Sequence, residues 1–160
     1  KIFEIILNNQ ITSFFEQNNI FTNKQFGFRA KRSTIDAVLS LVSQCFDNVE
    51  NGLITHNRFF DFTKAFETVS HTILLQQLSF YGFDDIAVNL MKSYLTDRQQ
   101  SVFYNDHLSD YKLCMHGVPQ GSILGSLLFI IYTNDLPVNF IFDGVQSYMY
   151  ADDLALTVSI

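Results

Sequence analysis

Three aspartates stand beside apolar segments, where carboxylates are unusual. Asp61 follows the run ITHNRFF, and Asp152 and Asp153 interrupt the otherwise apolar segment 148–158. A carboxylate in such surroundings is costly unless it is hydrogen-bonded, paired or bound to a metal. Carboxylate oxygens suit Mg²⁺, which binds few protein side chains and keeps room for water and phosphate. These three aspartates are therefore candidate metal ligands.

Each of these aspartates also has a simpler interpretation. Successive side chains of a strand point to opposite faces, so Asp152 and Asp153 can reach one site only if the backbone turns there. A hairpin turn whose aspartates bond their own backbone would have the same sequence. Taken alone, Asp61 is equally well read as a hydrogen-bonded turn residue. The pair Asp84-Asp85 differs, because it stands at a predicted helix start, where negative charge favourably meets the helix dipole.

Two further segments could contact phosphate or a nucleotide. In HGVPQGSILGSLLF, residues 116–129, Gln120 lies in a glycine-rich turn before a predicted buried helix. Glycine lets a ligand approach the backbone, and a helix N-terminus favours anions. The segment QFGFRAKRST, residues 25–34, holds three of the ten cations, namely Arg29, Lys31 and Arg32. Arginine can grip phosphate through two parallel hydrogen bonds. Alone, the two segments also fit a helix-starting turn and a solvated basic loop.

Helices and short strands must position these residues. The patterns predict helices over about 2–18, 34–50, 70–78, 84–94 and 122–134, and strands over 54–62, 99–104, 111–115, 146–150 and 154–159. Ser33 and Asp36 have the spacing of a capping box at the second helix. A polar turn, residues 105–110, is predicted between the second and third strands. Helices mixed with a few antiparallel strands indicate an α+β fold.

Composition limits the class of protein. The 160 residues are 48% hydrophobic and 16% charged, which predicts one domain with a core. The longest apolar block, residues 123–132, is shorter than the roughly 20 residues of a bilayer span, so we expect no membrane partner. A net charge of −6 argues against a free-standing nucleic-acid binder. Because the chain also lacks an initial Met, we interpret it as part of a longer protein with its basic regions elsewhere.

Together, the four segments resemble the reverse transcriptases of non-LTR retrotransposons, of the jockey and related lineages. The patterns QFGFRxxxST, FxDFTKAFxTVxH, GVPQGSxLGxLLF and YADD occur in the family's order and approximate spacing over nearly the whole chain. This resemblance implies a right-hand polymerase fold reduced to fingers and palm, a partial domain over residues 1–160 with the thumb absent. It implies RNA-directed DNA synthesis with two Mg²⁺ ions, or Mn²⁺ instead, and with an RNA template, a DNA primer and dNTP as partners.

The resemblance also assigns roles to single residues. The family's matching aspartates hold two metal ions at the positions of Asp61 and Asp152, and Asp153 supports them. Phe66 matches a steric gate that excludes ribonucleotides, although it could also be an ordinary core residue among 17 phenylalanines. The remaining residues assigned to the nucleotide site are Gln120, Arg29, Phe62 and Lys64.

The chain departs from the family pattern at Glu67, Ser70 and Ser126, and none of these positions is a metal ligand. The fragment alone is expected to be inactive, and the parent protein to be intracellular and nuclear. One alternative is an inactive or repurposed remnant that binds RNA or protein. Another is a related polymerase, such as a group II intron maturase or a viral RNA polymerase. A bulky ring at Phe66 disfavours an enzyme that synthesises RNA.

Overall fold

The computed structural model describes residues 1–140 and 144–160, which form helices and antiparallel strands. The helices are α1 (Ile2–Gln17), α2 (Thr34–Glu50), α3 (His71–Phe80), α4 (Asp85–Leu95) and α5 (Ile123–Tyr132), with 3₁₀ helices at Ala65–Glu67 and Leu136–Phe140. The strands are β1 (Thr55–Asp61), β2 (Gln99–Gln100), β3 (Phe103–Tyr104), β4 (His107–Leu108), β5 (Lys112–Leu113), β6 (Val145–Tyr150) and β7 (Asp153–Ser159). The predicted mixture of helices and antiparallel strands is confirmed.

Polar side chains cap the starts of α2 to α5. At α2 the predicted capping box is present: Ser33 Oγ accepts a hydrogen bond from the Asp36 N–H, and the Asp36 carboxylate accepts one from the Ser33 N–H. The other three helices begin after Ser70, Asp84 and Ser122, each of which accepts a backbone N–H bond three residues later. Such caps each contribute about 1 kcal/mol to stability. Asp84 is thus a capping residue, as the sequence indicates.

The main sheet has the strand order β1-β7-β6, with both pairs antiparallel. Strand β1 lies at one edge, and most of its residues are exposed, including Phe59 at 74%. Asp61 therefore ends an exposed edge strand, in contrast to the apolar setting that its sequence neighbours suggest. The strand is exposed because, among the described strands, β1 pairs with β7 alone and therefore has no neighbour on its other side.

The segment 99–115 differs from its prediction of two strands joined by a six-residue turn. It forms four two-residue strands, in which β2 pairs with β5 and β3 pairs with β4. The turn itself is only Asn105-Asp106, and both residues have positive φ, at 47° and 61°. Two consecutive positive φ angles are typical of a type I′ hairpin turn, and Asn and Asp tolerate them.

Helix α5 lies in the centre of the hydrophobic core. Seven of its residues from Leu124 to Ile131 are buried, as predicted for this apolar block. Helices α1 and α3 pack against it, and α4 packs against α3. Strands β6 and β7 add Met149 and Leu154 to the buried residues. None of the helices in the described ranges is both long enough and apolar enough to cross a bilayer.

Candidate active site

A two-residue turn, Ala151-Asp152, joins β6 to β7. Tyr150 and Asp153 face each other as the last pair of the ladder before it. Ala151 has a φ of 55°, and Asp152 is not among the residues with positive φ. A positive φ at only the first central residue is the pattern of a type II′ turn. The predicted arrangement of strand, tight turn and strand is therefore confirmed.

The first aspartate meets this hairpin across the sheet. Asp61 is the register partner of Asp153 in the β1–β7 ladder. Directly opposed residues of an antiparallel pair project from the same face, with Cβ atoms roughly 4.5–5.5 Å apart. Asp61 and Asp153 are exposed, and Asp152 is half-buried. The fold thus brings two sequence-distant carboxylates together, next to the turn that holds the third.

Among the described residues, no cation forms an ion pair with these carboxylates. Arg29–Glu16 is the one ion pair among the described residues, and no described hydrogen bond involves the side chains of Asp61, Asp152 or Asp153. Like charges directly opposite each other destabilise a sheet, and hard divalent cations prefer oxygen ligands. The donor set therefore fits Mg²⁺. Nevertheless, residues 1–140 and 144–160 contain no assembled group of three or more His, Cys, Asp or Glu side chains that could hold a metal.

The backbone of the turn is held from outside the hairpin by Gln25. Its Oε1 accepts hydrogen bonds from the N–H groups of Gly27, at 2.8 Å, and Ala151, at 3.0 Å. Its Nε2 donates to the Ala151 carbonyl at 3.2 Å. The sequence prediction gave Gln25 no role. Its only signal was its position as the first residue of the QFGFR segment.

Phe66 lies in the 3₁₀ helix that follows β1, and its ring contacts two other aromatic rings. It stacks on Phe129, with ring centroids 4.3 Å apart, and meets Phe28 edge-on at 6.0 Å. Its carbonyl accepts a hydrogen bond from the Val118 N–H at 2.8 Å. These contacts join the segment after Asp61 to the glycine-rich turn, although Phe66 is also partly buried against the core.

The glycine-rich turn approaches this segment closely. The Gly117 N–H donates to the Val69 carbonyl at 2.8 Å, and a Cβ on Gly117 would lie 2.8 Å from the backbone of Glu67. Gln120 is exposed and lines a pocket of about 330 Å³ together with Glu67 and Arg98. The close approach that the sequence suggests for glycine is thus made to the protein's own backbone.

Two other residues predicted at the nucleotide site flank the 3₁₀ helix. Phe62 is half-buried and packs against the hydrophobic core. Lys64 is exposed, has a φ of 55° and precedes the first residue of the 3₁₀ helix. Both lie close in sequence to Asp61. The Lys64 side chain is exposed to solvent, whereas the Phe62 ring is half-buried.

Arg29 has contacts different from those expected. Its side chain is only 6% exposed. Nε and Nη2 donate to the two carboxylate oxygens of Glu16, at 3.0 and 2.7 Å, and Nη1 donates to the Thr22 carbonyl at 2.7 Å. The guanidinium is therefore engaged by the end of α1 and is not presented to a triphosphate. The sequence of the basic loop does not indicate this contact, because Glu16 belongs to α1.

The other two cations of this loop are placed differently. Arg32 donates to the carbonyl and to the side-chain oxygen of Asn23, at 2.7 and 3.0 Å, and lies over the Phe26 ring. Burial, followed by the neighbouring Arg29 charge, lowers the pKa of Arg32. Lys31 is exposed. It is the cation of this loop that faces solvent most freely.

Comparisons with known proteins agree with the motifs. A family model described as reverse transcriptase (RNA-dependent DNA polymerase) matches residues 1–160. The chain is 32% identical over 173 residues to the "Probable RNA-directed DNA polymerase from transposon BS" of Drosophila melanogaster, covering 99% of this chain and 18% of that protein. It is 31% identical over 161 residues to the polymerase of the mobile element jockey of Drosophila funebris, covering 98% and 18%. The chain thus spans about a fifth of the length of these relatives.

Solved structures show the same fold at low sequence identity. A telomerase from Candida albicans, solved with a TWJ fragment of telomeric RNA, superposes with a TM-score of 0.67 at 14% identity, over 96% of this chain and 29% of that one. The apo telomerase of Candida tropicalis also gives 0.67, at 12% identity, over 97% and 33%.

Proposed function

The chain belongs to the reverse transcriptase family, and from that premise we propose that it forms the fingers and palm of an RNA-directed DNA polymerase of a non-LTR retrotransposon. In this proposal residues 1–160 are a partial polymerase domain, and the thumb lies outside them. The observation that carries the proposal is the register pairing of Asp61 with Asp153, beside the turn that holds Asp152.

The three carboxylates would bind the metal. Asp61 and Asp152 are the proposed ligands of two Mg²⁺ ions, with Mn²⁺ as an alternative, and Asp153 supports them. When bound, the ions would activate the primer 3′-hydroxyl and stabilise the charge of the departing pyrophosphate. The protein's part is to hold mutually repelling carboxylates at one end of the sheet. The lack of a protein counter-ion for these carboxylates within residues 1–140 and 144–160 supports this assignment.

The incoming dNTP would lie between the carboxylates and the segments that follow β1. Phe66 is the proposed steric gate, and its contacts with Phe28 and Phe129 would fix the orientation of its ring. Gln120, Phe62 and Lys64 remain proposed nucleotide contacts. We leave Arg29 out of the site, because Glu16 and Thr22 engage its nitrogens.

The RNA template and the DNA primer would need cations that this chain largely lacks. Its net charge is −6, and phosphate contacts by Lys and Arg supply most non-specific affinity for nucleic acid. We therefore propose that other parts of the protein hold the duplex. Lys31 in the basic loop, Arg58 in β1 and Lys64 after β1 are exposed cations that could contribute.

The test is RNA-templated primer extension by the full-length protein in Mg²⁺. We expect Asp152→Asn to lower the rate of dNTP incorporation by about a hundredfold or more, because a metal-bound carboxylate would become a neutral amide. The measurement is single-turnover extension of a labelled DNA primer.

The chain offers a matched control in its other Asp-Asp pair. Asp85 is exposed in the first turn of α4, and Asp85→Asn should leave the extension rate unchanged. An Asp152→Asn protein that extends the primer as fast as the wild type would contradict the proposed mechanism.

A repurposed remnant that binds RNA or protein without synthesis is the second candidate. It is favoured by one observation, that no three-ligand group is assembled within the described residues. A folded full-length wild-type protein that binds RNA but incorporates no dNTP in Mg²⁺ or Mn²⁺ would select this candidate.

A further inference from the structure

The turn that holds Asp152 has a backbone conformation that its own sequence disfavours. Ala151 has a φ of 55° and is buried. Positive φ is uncommon for a residue that carries a Cβ, and the first central position of a type II′ turn normally takes glycine. Such a conformation persists only where surrounding contacts impose it. The hairpin therefore needs partners outside itself.

Gln25 is that partner. Its side-chain amide accepts from the Ala151 N–H and donates to the Ala151 carbonyl, so it contacts both polar groups of one residue. Gln25 is 1% exposed, which places these bonds away from water. The side-chain amide has an accepting oxygen and a donating NH2 group and is uncharged, so it bonds both groups of Ala151 without burying a charge. An ionised Glu would lack the donor to the Ala151 carbonyl, and Leu would lack both the donor and the acceptor.

The backbone around Gln25 fixes the position of this amide. The Phe26 N–H donates to the Met149 carbonyl, and the Met149 N–H donates to the Lys24 carbonyl, both at 2.8 Å. Gly27 allows the loop to lie directly against the turn, since a Cβ at that position would be 2.3 Å from the Ala151 nitrogen. The loop and the turn therefore form one hydrogen-bonded unit.

We propose that Gln25 is a positioning residue that sets the direction of the Asp152 carboxylate through the Ala151 peptide. Asp152 directly follows Ala151, so any rotation of the peptide between them redirects the Asp152 side chain relative to Asp61. Gln25 itself touches neither nucleotide nor metal in this account. Its effect on catalysis rests on the proposed polymerase function, whereas its effect on the turn does not.

Enzyme kinetics of the full-length protein test the catalytic part. We expect Gln25→Ala to lower kcat about tenfold or more and to raise the Mg²⁺ concentration for half-maximal rate severalfold, because small displacements of catalytic groups are costly. The KM for dNTP should stay within about twofold, since no nucleotide contact is removed. Gln25→Met removes both the donor and the acceptor while nearly keeping the side-chain volume, so its values should match those of Gln25→Ala.

Gln77→Ala is the matched control. Gln77 is a half-buried glutamine whose Nε2 donates to the Tyr132 carbonyl, and it lies in α3, away from the turn. This variant should lower the Tm without changing the Mg²⁺ dependence. A Gln25→Ala protein that loses Tm but keeps the wild-type Mg²⁺ dependence would overturn the proposal, because Gln25 would then be only structural.

Hydrogen exchange tests the turn without reference to activity. The Ala151 amide should exchange slowly in the wild type and in Gln77→Ala, and about tenfold or more faster in Gln25→Ala, since its acceptor is gone. Unchanged exchange in Gln25→Ala would overturn the proposal. If the wild-type protein does not polymerise, the proposed function fails, and the exchange of this amide still decides whether Gln25 holds the turn.

Discussion

At the scale of single residues, Phe66 could serve the core and the nucleotide site together. One face of its ring stacks on the buried Phe129, and Phe28 meets it edge-on. A ring fixed in this way loses little further freedom when a sugar packs against it. The partial burial of Phe66 is therefore compatible with a role as steric gate. Such a ring must keep its rotamer when a ribonucleotide with a 2′-hydroxyl approaches.

Replacing the ring by a smaller side chain should weaken the selection against ribonucleotides. We expect Phe66→Val in the full-length protein to raise the kcat/KM for rNTP relative to dNTP by about tenfold or more. The measurement is primer extension with each nucleotide in separate reactions. Phe83→Val is the control, because Phe83 packs edge-on against Phe14 and Phe15 in the core. An unchanged ratio in Phe66→Val, with DNA synthesis retained, would show that Phe66 is not the gate.

Residues close together in the sequence predict the helix caps and the β6–β7 turn correctly. They do not predict the contacts of Arg29. The capping box at Ser33 and Asp36 depends on residues three apart, which the sequence displays directly. The partner of Arg29 is Glu16, thirteen residues earlier and on another element. Similarly, Gln25 and Ala151 lie 126 residues apart. Contacts of this range depend on the tertiary fold, so a motif indicates that a residue matters without indicating what it binds.

At the scale of secondary-structure elements, the loop before α2 and the β6–β7 hairpin depend on each other. Gln25 and Met149 form a parallel β-bridge. Gly27 lies so close to the turn that a Cβ would stand 2.3 Å from the Ala151 nitrogen and 3.0 Å from its Cα. Backbone atoms cannot rotate away as a flexible side chain would. The loop must therefore move if any side chain is introduced at this position.

Gly27→Ala should destabilise the protein more than a glycine substitution in open space. We expect a loss of about 2–3 kcal/mol at Gly27, where the methyl group overlaps backbone. At Gly52, which has a φ of 72° and no neighbouring atom within 4 Å of a Cβ, we expect about 1–2 kcal/mol from backbone strain alone. The measurement is urea unfolding of both variants. An equal or smaller loss for Gly27→Ala would contradict the close packing of loop and hairpin.

Element prediction succeeds where the sequence pattern is long and fails where it is short. Helices α2 and α5 match their predictions because caps and apolar runs mark them. In the segment 99–115 each strand has only two residues, too few for alternation to be read. The strand order β1-β7-β6 could not be predicted either, because it depends on pairing across a hundred residues.

At the scale of the whole molecule, the chain presents much apolar surface to solvent. Phe80 and Ile86 are about four-fifths exposed, at 82% and 80%, and α2 and β1 carry further exposed aromatic and aliphatic side chains. Apolar patches on a soluble domain usually mark contacts with other protein. These exposed side chains belong to a chain that spans about a fifth of the length of the curated relatives it matches.

The fold brings together β1 and the β6–β7 hairpin, the two segments on which the proposed function depends. Strand β1 and the β6–β7 hairpin are distant in sequence, and the β1–β7 ladder places Asp61 opposite Asp153. The motifs predict that these carboxylates meet. The structure adds that Asp61 and Asp153 meet at the exposed end of an edge strand.

Locating the metal in the full-length protein tests this account most directly. Fe²⁺ bound in place of Mg²⁺ reduces added H₂O₂ to a hydroxyl radical and hydroxide while it is oxidised to Fe³⁺. The radical cuts the nearby backbone, and mass spectrometry identifies the cuts. We predict cuts at the end of β1 near Asp61 and at residues 151–153, suppressed by excess Mg²⁺ and absent in Asp152→Asn. Cuts that Mg²⁺ suppresses at another place, such as Asp84-Asp85, with none near Asp61 or the turn, would contradict the account.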